Sequence, residues 1–309
     1  MPAALSVLPV RPFGAVLTAM VTPMDRAGDI DLDAAVRLAT HLVDHGHDGL
    51  VLNGTTGEAP TTYGPEKVDL IAAVVAAVGD RAVVVAGAGS NDTRHAVRMA
   101  VQAADAGAHG LLVVAPYYSK PSQEGIYRHT VAVADATDLP VMLYDVPGRT
   151  AVRYSPATLD RLAAHDRVVA VKDATGDVFG AVKTMARTGL AYYSGDDALN
   201  LAFLAHGAAG MVSMVGHLVG DELAAIVAAV DAGDLVAARA GFVAILPAID
   251  IICGSGNGAV RSKAALELLG VIPSRQLRLP QVAADDAEVA VVRAAMLAAG
   301  LLPGRAPRL

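Results

Sequence analysis

The chain has 309 residues, a net charge of −7 at pH 7 and 54% hydrophobic residues, which is enough for one large domain or two medium ones with a sizeable core. Lysine and arginine form no basic stripe, which argues against nucleic-acid binding, and no apolar run reaches the roughly 18–20 residues of a membrane span. The single cysteine, Cys253, excludes an intramolecular disulfide and is typical of a protein of the reducing cytoplasm.

Short valine-rich runs alternate with longer alanine-rich segments of helical spacing through the first two thirds of the chain. Strands are predicted at 15–22, 49–53, 82–87, 110–114, 141–145, 168–172, 191–195 and 210–215. Helices are predicted between them at 32–46, 65–78, 92–106, 123–136, 156–164, 178–187 and 197–206. Because the strands are apolar throughout, we expect both of their faces to be buried. Eight such units, with no G-x-G-x-x-G after the first strand, favour an α/β fold of the (β/α)8 TIM-barrel type over a doubly wound sheet.

The strand pattern stops after residue 216. Further helices are predicted at 220–232, 234–252, 260–269 and 286–299, and the glycine-rich run GSGNGA (254–259) is interpreted as a turn between two of them. We therefore predict three parts: an N-terminal arm at 1–13, a barrel catalytic region at 14–216, and a C-terminal helical region at 217–309 packed on the barrel.

Unusual polar runs follow several of the predicted strands. They are NGTTGE (53–58), APYYSKPS (115–122), DVPGRT (145–150) and SGDD (194–197). Since active sites of TIM barrels lie at the carboxyl ends of the strands, we expect these runs to converge on one mouth.

Lys172 ends the apolar run VVAVK (168–172) and is followed at once by turn residues. An amine in apolar surroundings loses hydration, which disfavours its charged form, and a neutral amine can form a Schiff base with a ketone. Lys172 is therefore a candidate for covalent catalysis. The alternative is a structural ion pair with Asp173 or another carboxylate.

Four other residues near this predicted mouth are candidates for proton transfer or substrate binding. Tyr144 ends the neighbouring strand and could pass protons, or it is a core tyrosine. Thr55 and Thr56 lie in a turn that could bind a carboxylate or relay a proton, or their hydroxyls satisfy the local backbone. Arg149 suits a substrate carboxylate, although most loop arginines are simply solvated.

Metal binding is not expected. The histidines of HLVDHGH (41–47) fall before a predicted strand, at the opposite face of the barrel, and are interpreted as a solvated helix end. Asp196 and Asp197 are interpreted as a helix N-cap.

Together, GTTGE (54–58), PYYSKPSQEG (116–125), YDVPGRT (144–150) and VKDATG (171–176) carry a family resemblance. The chain resembles the pyruvate-dependent class I aldolase superfamily, which includes dihydrodipicolinate synthase and N-acetylneuraminate lyase, from about Phe13 to Leu302. The resemblance implies a barrel with a C-terminal helical region and a homotetramer built as a dimer of dimers.

The resemblance also implies catalytic roles. Lys172 would form a Schiff base with pyruvate, and Tyr144 would act as general acid and base. Thr55 would link Tyr144 to Tyr118, which in the family reaches into the site of the neighbouring subunit. No metal or other cofactor is implied.

Four positions would contact substrates. Thr56 would hold the pyruvate carboxylate and Arg149 the carboxylate of aspartate 4-semialdehyde, with Gly195 and Val212 as further substrate-binding positions. The match is closest to the dihydrodipicolinate synthase branch, whose reaction on the route to diaminopimelate and lysine gives 4-hydroxy-tetrahydrodipicolinate.

Two alternatives stay open. The chain could be another pyruvate aldolase of the same family, such as a 2-keto-3-deoxy sugar acid aldolase or an N-acetylneuraminate lyase. It could also be an inactive barrel that serves as a binding protein, because barrels host many functions.

The sequence departs from family members that lysine inhibits. Several of those have serine at the position of Ala59, histidine at that of Gly64 or Lys67, and a carboxylate at that of His95, whereas Asn91 and Tyr117 match. Because the missing carboxylate would be the partner of the lysine amine, we predict weak or no inhibition by lysine.

Overall fold

Eight parallel strands close into a barrel in the computed structural model, which describes residues 8–254 and 256–302. The strands are β1 (Val16–Ala19), β2 (Gly49–Leu52), β3 (Val83–Gly87), β4 (Gly110–Val114), β5 (Val141–Asp145), β6 (Val168–Asp173), β7 (Ala191–Ser194) and β8 (Gly210–Ser213). Each strand pairs with the next along the chain, and β8 pairs with β1. The predicted barrel is confirmed, with several strands shorter than the apolar runs that predict them.

Helices wrap the outside of the barrel. They are α1 (Leu32–Asp44), α2 (Gly64–Val78), α3 (Thr93–Asp105), α4 (Gln123–Ala134), α5 (Pro147–Thr150), α6 (Pro156–Ala163), α7 (Val178–Thr188) and α8 (Asn200–Ala205). Many begin at a side chain that accepts a hydrogen bond from the first turn, as Asp31 does for α1 and Ser122 for α4. The run 145–150, predicted as a loop, contains the single turn α5.

Side chains on the two faces of the strands fill separate hydrophobic cores, which explains why the strands are apolar throughout. One cluster, inside the barrel, includes Leu17, Val51, Leu112 and Met142. A larger cluster lies between the strands and the surrounding helices. Because alternate residues of a strand point to opposite faces, strands β2 to β7 contribute to both clusters. The outward side chains of β1 and β8, Val16 and Met211, lie in a third cluster with side chains of the C-terminal helices.

Within the described residues five further helices follow: α9 (Gly216–Asp231), α10 (Leu235–Ala244), α11 (Leu246–Cys253), α12 (Gly258–Leu268) and α13 (Asp286–Ala298). Helix α9 packs against β1 and α1. The prediction of one helix over 234–252 is wrong, because α10 and α11 meet at a 46° bend. Pro247 explains the break, since it lacks an N–H and its ring clashes with the preceding turn. The predicted division of the chain at residue 216 stays a prediction.

Parts of the predicted N-terminal arm and of the glycine-rich turn lie outside the described residues. Residues 1–7 of the predicted arm and position 255 of the predicted turn 254–259 lie there. Within the described part, Phe13 is fully buried and the Arg11 guanidinium binds both carboxylate oxygens of Asp231, at 2.7 and 2.8 Å. Through residues 8–254 and 256–302 no single helix is long and apolar enough to cross a membrane, although the bent pair α10–α11 meets that test by length and composition.

Candidate active site

Lys172 projects into the mouth of the barrel from the end of β6. Ala170, two residues earlier, lies in the interior cluster, so the alternation of the strand directs Lys172 to the same side. The side chain is buried, with 6% of the residue exposed. Its register neighbour on β5 is Tyr144, and the Nζ atom lies 4.3 Å from the centre of the Tyr144 ring. The amine therefore faces an aromatic ring at the position where barrels carry their chemistry.

The alternative of a structural ion pair is not what this geometry shows. Among the described carboxylates none pairs with Lys172. Asp173 points to the other side of the strand, where one carboxylate oxygen accepts hydrogen bonds from the backbone N–H and hydroxyl of Thr175, at 2.8 and 2.7 Å. Lys172 is thus buried without a carboxylate partner in the part of the chain that the structure describes.

Gly195 and Val212 lie close to the lysine and to the interior of the barrel. A Cβ atom built on Gly195 would sit 3.1 Å from both Cγ and Cε of Lys172 and 3.0 Å from the carbonyl oxygen of Asp173. A glycine at this position therefore leaves space for the lysine side chain. Val212 is 2% exposed and belongs to the interior cluster.

The turn 53–58 carries Thr55, which is exposed, and Thr56, which is buried. Asn53 and Glu58, at its two ends, have left-handed backbones with φ values of 54° and 58°. Neither threonine hydroxyl makes a hydrogen bond within the described residues, so the interpretation that they satisfy the local backbone does not hold. Both hydroxyls are available to a ligand or a proton.

Thr55, Tyr144 and Arg149 line one cavity of about 370 Å³. This is within the range of small-molecule sites. Lys67 and His95 also line it, and none of its described lining residues is an aspartate or glutamate. The cavity therefore favours ligands that carry carboxylates.

Tyr118 does not join this group within one chain. It is 87% exposed, whereas Tyr117 lies on the wall of the cavity. Lys172 and Thr56, both buried, are also not among the described residues that line this cavity. The φ of 73° at Tyr118 is left-handed, which is uncommon for a tyrosine. The Tyr118 side chain is therefore exposed, on a backbone conformation that tyrosine rarely adopts.

Sequence reasoning missed a pair of carboxylates behind the site. Asp145 and Asp173 are register neighbours at the ends of β5 and β6, and both are buried. Burial, and then the charge of Asp173, raise the pKa of Asp145 from 3.8 to about 7. The signal was present in the sequence, since two strands end in aspartate one position after the candidate tyrosine and lysine.

The polar groups considered for metals have structural surroundings. His47 is buried and bonds to the hydroxyl of Thr18 at 2.7 Å, so the interpretation of a fully solvated helix end is wrong for this residue. Asp196 caps a short 3₁₀ helix as predicted, while Asp197 is buried and accepts hydrogen bonds from the β8 side of the barrel. Residues 8–254 and 256–302 contain no group of three or more His, Cys, Asp or Glu side chains that could hold a metal ion.

Comparisons with known proteins agree on one family. The model of the dihydrodipicolinate synthetase family matches residues 12–299. The 4-hydroxy-tetrahydrodipicolinate synthase of Kineococcus radiotolerans is 57% identical over 303 residues, which cover 98% of each chain.

Solved crystal structures of similar proteins share the fold of this chain, and two of them serve as examples. The enzyme from Cyanidioschyzon merolae with lysine bound has a TM-score of 0.90 and 38% identity and covers 95% of this chain and 100% of its own. The chloride-inhibited enzyme from Acinetobacter baumannii complexed with pyruvate has a TM-score of 0.89 and 34% identity, with coverages of 94% and 99%. The predicted fold, family and enzyme class are confirmed, and the chain belongs to the dihydrodipicolinate synthetase family.

Proposed function

We propose that the chain acts as a 4-hydroxy-tetrahydrodipicolinate synthase, condensing pyruvate, held as an imine on Lys172, with aspartate 4-semialdehyde in diaminopimelate and lysine biosynthesis. The observation that carries the proposal is the buried amine of Lys172, which lies 4.3 Å from the Tyr144 ring centre. The curated relative at 57% identity bears the name of this activity.

The first half of the reaction loads pyruvate. The Nζ atom of Lys172 attacks C2 of pyruvate, and the carbinolamine loses water to give an iminium. Tyr144 passes the protons of both steps, with Thr55 as its link to the next hydroxyl. Thr56 holds the pyruvate carboxylate. The iminium then draws electrons from C3, which gives up a proton and becomes the carbon nucleophile of an enamine.

The second half joins the two substrates. C3 of the enamine attacks the aldehyde carbon, whose oxygen takes a proton and becomes a hydroxyl, while Arg149 holds the substrate carboxylate. The amino group of the bound product then attacks C2 and displaces Nζ, which closes the ring and frees Lys172. Since the iminium itself accepts the electrons, the proposed chemistry calls for no metal or organic cofactor.

We further propose a homotetramer in which Tyr118 enters the site of a neighbouring subunit and completes the proton relay. Its exposure of 87% and its left-handed backbone support this role, because the side chain is held outward at an energetic cost. Helix α10 also exposes Leu235, Val236 and Val243, a surface suited to another subunit. A cytoplasmic location is proposed from the single cysteine.

Reductive trapping tests the central step. The protein and its Lys172→Met variant are treated with sodium borohydride and pyruvate, and their peptides are mapped by mass spectrometry. We expect an adduct on the peptide that contains Lys172 in the parent only. An adduct on another lysine, or none in the parent, contradicts the proposal. Turnover of pyruvate with aspartate 4-semialdehyde against pyruvate with glyceraldehyde then distinguishes the synthase from a sugar acid aldolase.

A further inference from the structure

A buried ion pair joins the C-terminal helices to the turn that carries Thr55 and Thr56. Lys263 lies within α12 and is fully buried, and its Nζ atom is 2.5 Å from Oε1 of Glu58, which is 4% exposed. The same Nζ donates to the carbonyl oxygen of Gln276 at 2.7 Å. Glu58 ends the turn, so a residue 205 positions away along the chain holds it directly.

The other oxygen of Glu58 is also occupied. Oε2 accepts a hydrogen bond from the backbone N–H of Arg278 at 3.0 Å. The Arg278 guanidinium donates to the carbonyl oxygen of Thr61 at 3.0 Å and to both carboxylate oxygens of Glu66 in α2, at 2.7 and 2.5 Å. We call Glu58, Lys263 and Arg278 the Glu58 clamp. It holds the turn and the start of α2 from the C-terminal side.

The turn 53–58 requires these contacts, because the backbone conformation at its two ends is unfavourable for the residues found there. Asn53 and Glu58 both have left-handed backbones, which cost roughly 1–2 kcal/mol each for residues other than glycine. On the barrel side, the hydroxyl of Thr22 donates to the carbonyl oxygen of Gly57 at 2.7 Å. A Cβ at Gly57 would lie 3.1 Å from the carbonyl oxygen of Met20. The turn is therefore fixed between β1 and the clamp.

A buried ion pair contributes little to stability in comparison with apolar side chains of the same size, because both charges lose their hydration. What the pair does provide is a fixed direction and distance. We propose that the Glu58 clamp positions Thr56 for the pyruvate carboxylate, so that Glu58 and Lys263 are positioning residues for imine formation. This inference rests on the proposed role of Thr56.

The test separates position from stability with three variants. They are Glu58→Gln, Lys263→Met and the double variant Glu58→Leu/Lys263→Met, and Arg11→Met serves as the matched control because it breaks the ion pair with Asp231 outside the clamp. Urea unfolding measures the free energy of unfolding. The kcat/KM values for pyruvate and for the aldehyde report on the first and second halves of the reaction. We expect Glu58→Gln and Lys263→Met to lower kcat/KM for pyruvate about tenfold or more, since small displacements of binding groups have effects of this size. Arg11→Met should leave it unchanged.

The double variant distinguishes a positioning role of the ion pair from a purely stabilising one. Removal of both charges should restore stability lost in Lys263→Met, because no unpaired buried charge remains, while kcat/KM for pyruvate stays low. Recovery of stability and kcat/KM together would mean that the pair acts through stability alone and would overturn the inference. If neither Lys263→Met nor the double variant folds, Glu58→Gln serves as the test, because glutamine keeps the volume of the side chain and one hydrogen-bond acceptor. An unchanged kcat/KM for pyruvate in Glu58→Gln then overturns the inference.

A Thr56→Val variant tests the proposed role of Thr56 separately from the positioning role of Glu58 and Lys263. If Thr56→Val leaves kcat/KM for pyruvate unchanged, the proposed role of Thr56 is wrong. If Thr56→Val lowers it and the Glu58 and Lys263 variants do not, the positioning role alone is wrong.

Discussion

Three of the five lysines are buried, and their surroundings separate one from the others. Lys263 is paired with Glu58, and Lys67 lies on α2, where it donates to the carbonyl oxygen of Ala59 at 2.9 Å. Only Lys172 stands at the end of a barrel strand, with an aromatic ring in place of a carboxylate. Burial therefore does not identify the reactive amine; the combination of strand end, missing counter-charge and neighbouring tyrosine does.

Replacement of the Tyr144 hydroxyl tests its proton transfer. We expect Tyr144→Phe to lower kcat about 100-fold to 1,000-fold while the fold is kept, because the ring stays and only the proton donor is removed. Tyr193→Phe is the matched control, since the Tyr193 hydroxyl donates to the carbonyl oxygen of Gly14 at 3.0 Å and serves the base of the barrel. The control should lose about 1 kcal/mol of stability and no activity. Steady-state kinetics and urea unfolding of both variants check this, and equal kcat losses would contradict it.

The raised pKa of Asp145 predicts how stability changes with pH. The folded state keeps a proton that the unfolded state releases, so the free energy of unfolding falls as pH rises from about 4 to about 7. Asp145→Asn removes this loss, and its amide can donate towards Asp173. We expect the variant to gain on the order of 2 kcal/mol relative to the parent between pH 5 and pH 8.

Urea unfolding at the two pH values measures this gain. Asp80→Asn, at an exposed carboxylate, is the control for the removal of one negative charge. A stability difference of Asp145→Asn that does not change with pH would mean that the carboxyl is ionised in the folded state at pH 5.

At the scale of elements, the sequence predicted strands and helices correctly where a single hydrophobic pattern dominates a segment. Continuous apolar runs predicted all eight strands because each strand is buried on both faces, and residues such as Lys172 were located because a barrel gathers its strand ends at one mouth. The break at Pro247 was a local signal that the helical pattern of 234–252 concealed. Tertiary contacts such as Glu58 with Lys263 have no local signal, since each partner alone has ordinary neighbours in the sequence.

A substitution at Gly195, the residue after β7, tests how tightly the surrounding strands confine the Lys172 side chain. Gly195→Ala would place a Cβ atom 3.1 Å from Cγ and Cε of Lys172, so the side chain must shift. We expect imine formation to slow about tenfold or more, because a misplaced nucleophile loses alignment with C2 of pyruvate. Gly64→Ala on α2 is the control, because its Cβ would have only an ordinary contact with Gln102 at 3.6 Å. Borohydride trapping over time measures the rate, and an unchanged rate in Gly195→Ala would show that the lysine has room to spare.

At the scale of the whole molecule, the cavity lined by Thr55, Tyr144 and Arg149 extends to Ala59, Lys67, His95 and Tyr117. Its described lining carries no carboxylate, so the amino group of a lysine effector has no anionic partner there. We predict that millimolar L-lysine leaves the activity unchanged. His95→Glu supplies the missing charge and should introduce inhibition, measured as initial rate against lysine concentration. Strong inhibition of the parent at sub-millimolar lysine would contradict the prediction.

The exposed Tyr118 ties activity to assembly, and two inactive variants test the connection. In a two-fold dimer that combines a Tyr118→Phe protomer with a Lys172→Ala protomer, one site keeps Lys172 and receives the intact Tyr118 of its neighbour. The other site carries both changes. Co-expression with two different tags and purification on both isolates the mixed assemblies. Each mixed two-fold dimer within them should have about half of the parent activity, so the purified tetramers should regain activity up to that level. If Tyr118 served its own barrel, each site of the mixed dimer would carry one change, and activity would stay at the level of the separate variants.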